Sequence, residues 1–129
     1  MTVGAENLLA QQAALIRQAF GVKPRQHYGM SEAVANFSEC EQGRLHVDED
    51  FAAVEFLPNP AGGYKIIGTN LSNLATPLIR YEVGDVASLA DAPCDCGRPG
   101  RVVAAVDGRK EDYVVLKNGS RLGRMDHIF

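Results

Sequence analysis

The stretch FAAVEFLPNPAGGYKIIGT, residues 51–69, decides the fold class that the sequence predicts. Its two halves are short runs rich in apolar, aromatic and β-branched residues, and its centre is a cluster of Pro, Asn and Gly. Such runs around such a cluster are typical of two antiparallel strands joined by a turn. We therefore predict strands at residues 51–57 and 64–69, with the turn at residues 58–63.

Further short apolar runs follow towards the C-terminus. They predict strands at residues 86–89, 102–106 and 113–116. Asn118-Gly119 then predicts a hairpin turn before a last short strand at residues 121–122.

The N-terminal part has a different period. Residues 6–20 carry apolar side chains on one face at helical spacing, and Gly21 followed by Pro24 is a helix stop signal. The predicted fold class is therefore α+β, with one N-terminal helix packed beside a mainly antiparallel β region.

Composition limits the classes of protein to which the chain can belong. Its 129 residues are 46% hydrophobic and 22% charged, as in one globular domain. A net charge of -3 and the lack of a basic-aromatic cluster argue against a nucleic-acid partner and an anionic membrane. No apolar run approaches the roughly 18 residues that span a bilayer, and no signal peptide is apparent. We expect a cytoplasmic protein without a nucleic-acid or membrane partner.

Both ends of the sequence have the character of cut ends. The predicted helix begins close to Met1, and residues 125–129 stop inside an apolar pattern. A piece taken from a larger sheet exposes unpaired strand edges. Homo-oligomerisation through such edges is therefore a further expectation.

The first candidate site is Tyr28-Gly29-Met30-Ser31-Glu32. A glycine between an aromatic ring and a hydroxyl-carboxylate pair suits a loop that approaches a flat, phosphorylated ligand, with the carboxylate on a divalent cation. The alternative is ordinary, because Ser31 would also serve as the N-cap of a helix that starts at Glu32.

The second candidate is the segment of residues 77–85, which ends in Gly84-Asp85. A strand that enters a Gly-Asp turn presents a carboxylate to two vicinal hydroxyls, as ribose-binding acids do. Taken alone, Gly-Asp is only a turn. Arg109, within residues 108–112, taken alone is only part of a solvated charged turn.

Together and in order, these segments resemble the C-terminal core of the adenylate-forming acyl-CoA synthetase superfamily. The order is Gly4-Ala5-Glu6, then residues 28–32, 78–85 and 108–112. More closely, they resemble the phenylacetate-CoA ligase branch, with coenzyme F390 synthetase and the CapK-type capsule-biosynthesis proteins. The resemblance covers essentially all 129 residues, and its most specific element is Leu-Ile-Arg-Tyr-x-x-Gly-Asp.

The resemblance implies an ATP-dependent, AMP-forming ligase that activates a carboxylic acid and transfers it to a thiol, usually coenzyme A. It implies ATP or AMP, Mg²⁺ and coenzyme A as cofactors or co-substrates. The implied catalytic residues are Glu32, which also holds magnesium, Arg80 and Arg109. The implied nucleotide-binding residues are Gly4, Ala5 and Glu6 around adenine, Tyr28, Gly29, Met30, Ser31 at the α-phosphate, and Asp85 at the ribose.

The same resemblance divides the chain and limits its activity. Residues 1–107 would be part of the large domain, and residues 108–129 the hinge, with Glu111 at the pivot, and the start of a mobile lid. The family's phosphate loop and its lid lysine match no position in this chain. The fragment alone is therefore expected to be inactive.

Residues 116–124 look more like the CapK-type relatives than like phenylacetate-CoA ligases. A CapK-type adenylyltransferase of capsular polysaccharide biosynthesis is thus one alternative function. A zinc-stabilised binding or scaffold module without activity is another.

The three cysteines predict a structural zinc site. Cys40 and His46 form one short ligand pair, and Cys94 and Cys96 form the other, next to Gly97. Two such pairs separated by a longer segment are typical of a Cys3His zinc site. The alternative is three free thiols and a surface histidine. The two pairs also resemble metal-binding members of the phenylacetate-CoA ligase branch.

Overall fold

The computed structural model describes residues 1–4, 8–109, 114–118 and 121–122. These residues contain one helix and ten strands. In chain order they are β1 (Thr2–Val3), α1 (Ala10–Phe20), β2 (Arg25–Gly29), β3 (Asn36–Glu39), β4 (Leu45–Val47), β5 (Ala52–Pro58), β6 (Tyr64–Asn70), β7 (Tyr81–Leu89), β8 (Val102–Arg109), β9 (Val114–Val115) and β10 (Arg121–Leu122).

Eight of the strands form one mixed sheet in the order β1-β2-β3-β4-β8-β7-β6-β5, and β9 pairs with β10. The β1–β2 pair is parallel, with α1 as the crossover, and the other neighbours are antiparallel. The α+β class is therefore confirmed. The β5–β6 hairpin has the predicted position, and its turn is closed by the bond from the Asn59 N–H to the Gly63 carbonyl.

The sheet is strongly curved. Four strand spacings separate β2 from β7, which is about 19 Å in a flat sheet. Nevertheless the Tyr28 hydroxyl on β2 lies 2.6 Å from an Asp85 oxygen on β7. The concave side holds the core, where Phe37 stacks on Tyr28 with ring centroids 4.8 Å apart and meets Phe56 at 6.1 Å. Curvature thus brings residues of distant strands into one site.

Gly68 on β6 lets the loop between β2 and β3 close over the concave side. A Cβ atom at Gly68 would overlap the carbonyl oxygen of Val34. Val34 is fully buried. The absence of a side chain at Gly68 therefore permits a backbone-to-backbone approach that no other residue allows.

Helix α1 is shorter and more exposed than predicted. It begins at Ala10, and residues 5–7 lie outside the described residues. Its predicted end is confirmed, because Gly21 adopts φ 67° and donates its N–H to the Arg17 carbonyl. No α1 side chain is buried, and Leu15 and Phe20 are 64% and 65% exposed.

The described sheet ends at β1 on one side and β5 on the other. Strand β8 continues to Arg109 without a break, and the division of the chain after residue 107 stays a prediction. Within the described ranges, no helix is both long and apolar enough to cross a bilayer.

Candidate nucleotide half-site and metal cluster

The half-site begins with Tyr28 and Asp85. The Tyr28 hydroxyl donates to Asp85 Oδ2 at 2.6 Å, and both residues are half-buried. The same tyrosine ring stacks on the buried ring of Phe37. A phenol held at both ends loses little further freedom when a ligand arrives, which favours binding.

Asp85 is presented by a bulged strand, and the predicted Gly-Asp turn is wrong. Strand β7 continues from Tyr81 to Leu89, and its register with β8 shifts just after Asp85. Gly84 has φ 89°, a conformation that glycine adopts readily in such bulges. The bulge therefore redirects the carboxylate without ending the strand.

Arg109 is the register partner of Asp85 on β8. The structure thus places the backbone of Arg109 beside the backbone of Asp85, whose carboxylate is predicted to bind ribose. The side chain of Arg109 lies outside the described residues, as do Ala5, Glu6 and Glu111. Their roles stay predictions.

Ser31 and Glu32 lie in a tight turn between β2 and β3. The N–H of Ala33 donates to the Met30 carbonyl at 3.1 Å, and Ala33 has φ 53°. No helix starts at Glu32, so the N-cap alternative for Ser31 is wrong. The turn presents an exposed hydroxyl and a half-buried carboxylate beside strand β2.

Gly29 and Gly4 both lie against the ring of His27. A Cβ atom at Gly29 would lie 2.9 Å from His27 Cε1, and one at Gly4 would lie 3.4 Å from His27 Nδ1. The imidazole of His27 thus lies close to both glycines, and at Gly4 the atom nearest to the added Cβ would be the His27 carbonyl oxygen, at 3.0 Å.

Arg80 is directed to a partner on β5. Its guanidinium donates to both carboxylate oxygens of Glu55, at 2.9 and 3.3 Å. Its own backbone has φ 51°, and its N–H donates to the Thr69 hydroxyl. The predicted catalytic role of Arg80 stays a prediction.

The second site is the metal cluster, which we define as Cys40, His46, Cys94 and Cys96. The four candidate ligand atoms all lie within 4.8 Å of one another. The Cys40 and Cys94 sulfurs are 3.8 Å apart, and the Cys96 sulfur is 3.4 Å from His46 Nε2.

The separations of 3.8 and 3.4 Å are close to the edges of a tetrahedral zinc site. Zinc–sulfur and zinc–nitrogen bonds of about 2.3 and 2.05 Å give tetrahedral edges of about 3.8 Å between sulfurs and about 3.6 Å between sulfur and nitrogen. Cys40 is fully buried and His46 is 1% exposed. The alternative of a surface histidine is therefore wrong, and the donor set fits zinc.

Backbone groups support the sulfur of Cys40. Burial raises the pKa of this thiol, but N–H groups of Arg44 and Gln42 donate to the sulfur and lower it. Hydrogen bonds with Cys94 and Cys96 act in the same direction, and the net pKa is about 6. The thiolate, which is the form that binds metal, is thus favoured at neutral pH.

Cys94 shows the opposite shift. A backbone hydrogen bond with Cys96 lowers its pKa, but burial and side-chain hydrogen bonds with Cys96 and Cys40 raise it, and the net direction is upward. The contrast is expected of thiols that share one site, because the first negative charge disfavours the second. A cation in the cluster would remove this conflict.

The surroundings also orient His46 and Cys96. His46 Nδ1 lies 3.2 Å from the Pro99 carbonyl, which can only accept, so Nδ1 carries the proton and Nε2 presents its lone pair to the cluster. The Arg98 N–H donates to the Cys96 sulfur at 3.4 Å. Such contacts are typical of the groups that surround structural metal ligands.

A polar network beside the cluster was not predicted. Asp48 Oδ2 accepts from Asn36 Nδ2 at 2.5 Å and from the Ser38 hydroxyl at 2.6 Å. Asp48 Oδ1 accepts from Arg98 Nη2 at 3.3 Å. The short strand that carries Asn36 and Ser38, β3, has no strong hydrophobic pattern. Only Arg98, close to the Cys-x-Cys pair, offered a local signal.

Two curated proteins are similar to this chain. A phenylacetate-coenzyme A ligase of Thermus thermophilus is 29% identical over 126 residues, which cover 89% of this chain and 28% of the relative. Protein CapK of Staphylococcus aureus is 26% identical over 111 residues, which cover 85% of this chain and 25% of the relative.

The chain thus spans about a quarter of the length of the curated relatives it matches. No family model matches it. Both relatives carry the names that the motifs indicated, so the predicted resemblance to this branch is confirmed.

Proposed function

We propose that this chain is part of an ATP-dependent, AMP-forming ligase that converts a carboxylic acid into an acyl-adenylate and passes the acyl group to a thiol such as coenzyme A. The observation that carries the proposal is the contact of Tyr28 with Asp85 at 2.6 Å. Two residues of separate family motifs, 57 positions apart, meet at one place because the sheet curves. The similarity to a phenylacetate-coenzyme A ligase supports the same reaction class.

Asp85 would hold the ribose in this reaction. An ionised carboxylate has about four acceptor positions, and Tyr28 uses one of them on Oδ2. The remaining capacity suits the two vicinal hydroxyls of a ribose. Tyr28, held by Phe37 and Asp85, would set the position of the carboxylate before the nucleotide arrives.

Glu32 and Ser31 would serve the phosphate side. Mg²⁺ is bound through one or two carboxylates together with substrate phosphates, so the single carboxylate of Glu32 fits that ion. When bound, the ion offsets phosphate charge. Ser31, exposed in the turn after β2, would donate its hydroxyl to an α-phosphate oxygen.

The chemistry proceeds in two displacements. A carboxylate oxygen of the acid forms a bond to the α-phosphorus, and the bond from that phosphorus to the bridging oxygen breaks, which releases pyrophosphate. The thiolate sulfur then bonds to the acyl carbon, and AMP leaves with the electron pair. Electrostatic stabilisation and positioning carry most of the catalysis of such phosphoryl chemistry.

We also propose that the metal cluster binds zinc as a structural ion. Its four donors leave no open coordination position, which is typical of structural rather than catalytic zinc. The ion would cross-link the β3–β4 turn to the segment before β8, because Cys40 and His46 flank the former and Cys94 and Cys96 lie in the latter. It would not take part in either displacement.

Nucleotide binding by the purified chain tests the half-site. We expect AMP to bind, and we expect Asp85→Asn or removal of both ribose hydroxyls, in 2′,3′-dideoxyadenosine monophosphate, to weaken binding about 10- to 100-fold, as loss of hydrogen bonds to a charged group does. Asp91→Asn, at an exposed position after β7, is the matched control. Equal affinity of AMP and its dideoxy analogue would refute the ribose assignment.

Pyrophosphate exchange with ATP, assayed on the full-length parent with a panel of aryl and acyl acids, tests the reaction. Absence of exchange with every acid would refute the ligase. In the CapK-type variant of the proposal, the acyl group or nucleotide goes to an acceptor other than coenzyme A; what bears on it is the 26% identity to a protein named CapK. Product analysis with and without coenzyme A separates the two.

A further inference from the structure

Strands β2, β3 and β4 carry a row of polar side chains on the convex face of the sheet. His27 pairs in register with Ser38, and Ser38 pairs with His46. Directly paired residues of adjacent strands lie on the same face. The row therefore runs from His27 on β2, which precedes Tyr28 of the half-site, to His46, a ligand of the metal cluster.

Hydrogen bonds join the two ends of this row. Arg98 donates its backbone N–H to the Cys96 sulfur and its guanidinium to Asp48. Asp48 accepts from Asn36, and Asn36 Oδ1 lies 2.6 Å from His27 Nε2. All members except His46, which is buried, are half-buried, where polar contacts are stronger than in water.

The chemistry of Asp48 sets the direction of every bond in this chain. An ionised carboxylate only accepts, so the amide nitrogen of Asn36 must face Asp48 and the amide oxygen must face His27. That oxygen also only accepts. His27 therefore carries a proton on Nε2, and in the neutral ring its Nδ1 lone pair faces Gly4.

We propose that Asp48 is a positioning residue that couples the metal cluster to strand β2 of the nucleotide half-site. Through Arg98 it holds the loop that carries Cys96, and through Asn36 it fixes the ring of His27. His27 precedes Tyr28 on one strand, and neighbouring side chains of a strand lie on opposite faces. The two side chains share the backbone of β2, so a displacement of that backbone at His27 also moves the tyrosine that orients Asp85.

This inference rests on the proposed zinc and nucleotide sites, and the Asp48→Asn variant tests it. The new amide at position 48 can donate an N–H to the side-chain oxygen of Asn36. For that bond to form, the Asn36 amide must flip, and its nitrogen then faces His27 Nε2. We expect the imidazole ¹⁵N signals of His27 to show the proton moving from Nε2 to Nδ1. We expect AMP affinity to fall about 3- to 30-fold, the range of coupling effects between linked sites, with full zinc content and an unchanged circular dichroism spectrum.

Two further variants make the result specific. Asp50→Asn changes an exposed aspartate two residues away and should alter neither readout. Arg98→Met keeps the four metal ligands and the backbone N–H but removes the ion pair with Asp48; we expect weaker AMP binding with the His27 proton still on Nε2. If Asp48→Asn does not fold, Arg98→Met still tests the coupling.

Unchanged His27 signals in Asp48→Asn would overturn the proposal, and so would a tautomer switch without a change in AMP affinity. If the wild-type chain binds no AMP, the proposed nucleotide function fails separately. In that case zinc removal by a chelator decides the coupling, because His27 signals that do not respond to zinc would refute it.

Discussion

The hydroxyl of Tyr28 donates to Asp85 Oδ2 at 2.6 Å, although four strand spacings separate their strands in the sheet. The contact lies on the concave side of the sheet, next to the core, because the Tyr28 ring stacks on the buried ring of Phe37. A tyrosine and a carboxylate joined across a curved sheet are held more rigidly than either would be on a loop. Rigid presentation of polar groups is what a binding site for a small polar ligand requires.

Tyr28→Phe should weaken both folding and nucleotide binding. The substitution keeps the ring that stacks on Phe37 but leaves Asp85 without this donor. Loss of a hydrogen bond to a charged group lowers the free energy of unfolding by about 1.5–3 kcal/mol. Urea unfolding and AMP titration measure the two effects, and Tyr64→Phe on β6 is the control. An unfolding free energy equal to wild type would contradict the bond.

Gly68→Ala should be among the most destabilising single-methyl changes in the chain. The added Cβ would overlap the Val34 carbonyl oxygen, so two backbones must separate. We expect the free energy of unfolding to fall by more than about 3 kcal/mol. Gly62→Ala is the control: its φ is 96° but no atom lies within 4 Å of the added Cβ, so only strain of about 1 kcal/mol applies. Equal losses for both variants would show that Gly68 is not in close contact.

Cys94→Ser should abolish stoichiometric zinc. Its sulfur lies 3.8 Å from that of Cys40, so the substitution removes one vertex of the tetrahedron. We expect metal analysis to find zinc in the wild-type chain and almost none in the variant. Cobalt replacing zinc should give the absorption of a tetrahedral thiolate site only in the wild type. Glu41→Gln, beside Cys40 in sequence, should keep its zinc; near-zero zinc in the wild-type chain would remove the proposal.

Glu41 should make a small, pH-dependent contribution to stability. Arg25 donates to its carboxylate at 2.8 Å, and this hydrogen bond lowers the pKa of Glu41 below its ordinary value of 4.5. A lowered folded-state pKa gives stability that is present above the unfolded value and lost as pH falls through the folded value. The stability difference between wild type and Glu41→Gln should therefore be fully present above pH 4.5, decrease below it, and vanish as the pH falls through the lower pKa of Glu41 in the folded state. A difference that grows on acidification would contradict this sign.

The β5–β6 hairpin could be predicted because its signal is local. Seven register pairs join residues 52–58 to residues 64–70 around one turn, and the Pro, Asn and Gly residues of the turn indicate where the chain reverses. Strands β2, β3 and β4 were missed because they have five, four and three residues. Their convex-face residues, such as His27 and Ser38, are polar and join a network, so no apolar alternation marks them.

In the candidate sites, too, features with a local sequence signal could be predicted and features that depend on distant residues could not. The identity of the four metal ligands could be predicted from residue type, because every cysteine of the chain is used and each short pair lies within seven residues. The Gly-Asp turn was predicted wrongly because a bulge with φ 89° at Gly84 has the same local sequence signal as a turn. Asp48 gave no signal, since its role depends on Arg98, 50 positions later.

The sequence by itself determined the α+β class, the central hairpin, the end of the helix at Gly21 and the chemical types in both candidate sites. These properties follow from local backbone preferences and from the donor chemistry of single side chains. Only the tertiary structure decided that Tyr28 meets Asp85, that Cys40 meets Cys94, and that Asp48 lies between the two sites. The reason is that sheet curvature and strand order join residues about 50 positions apart, and no local pattern encodes such a distance.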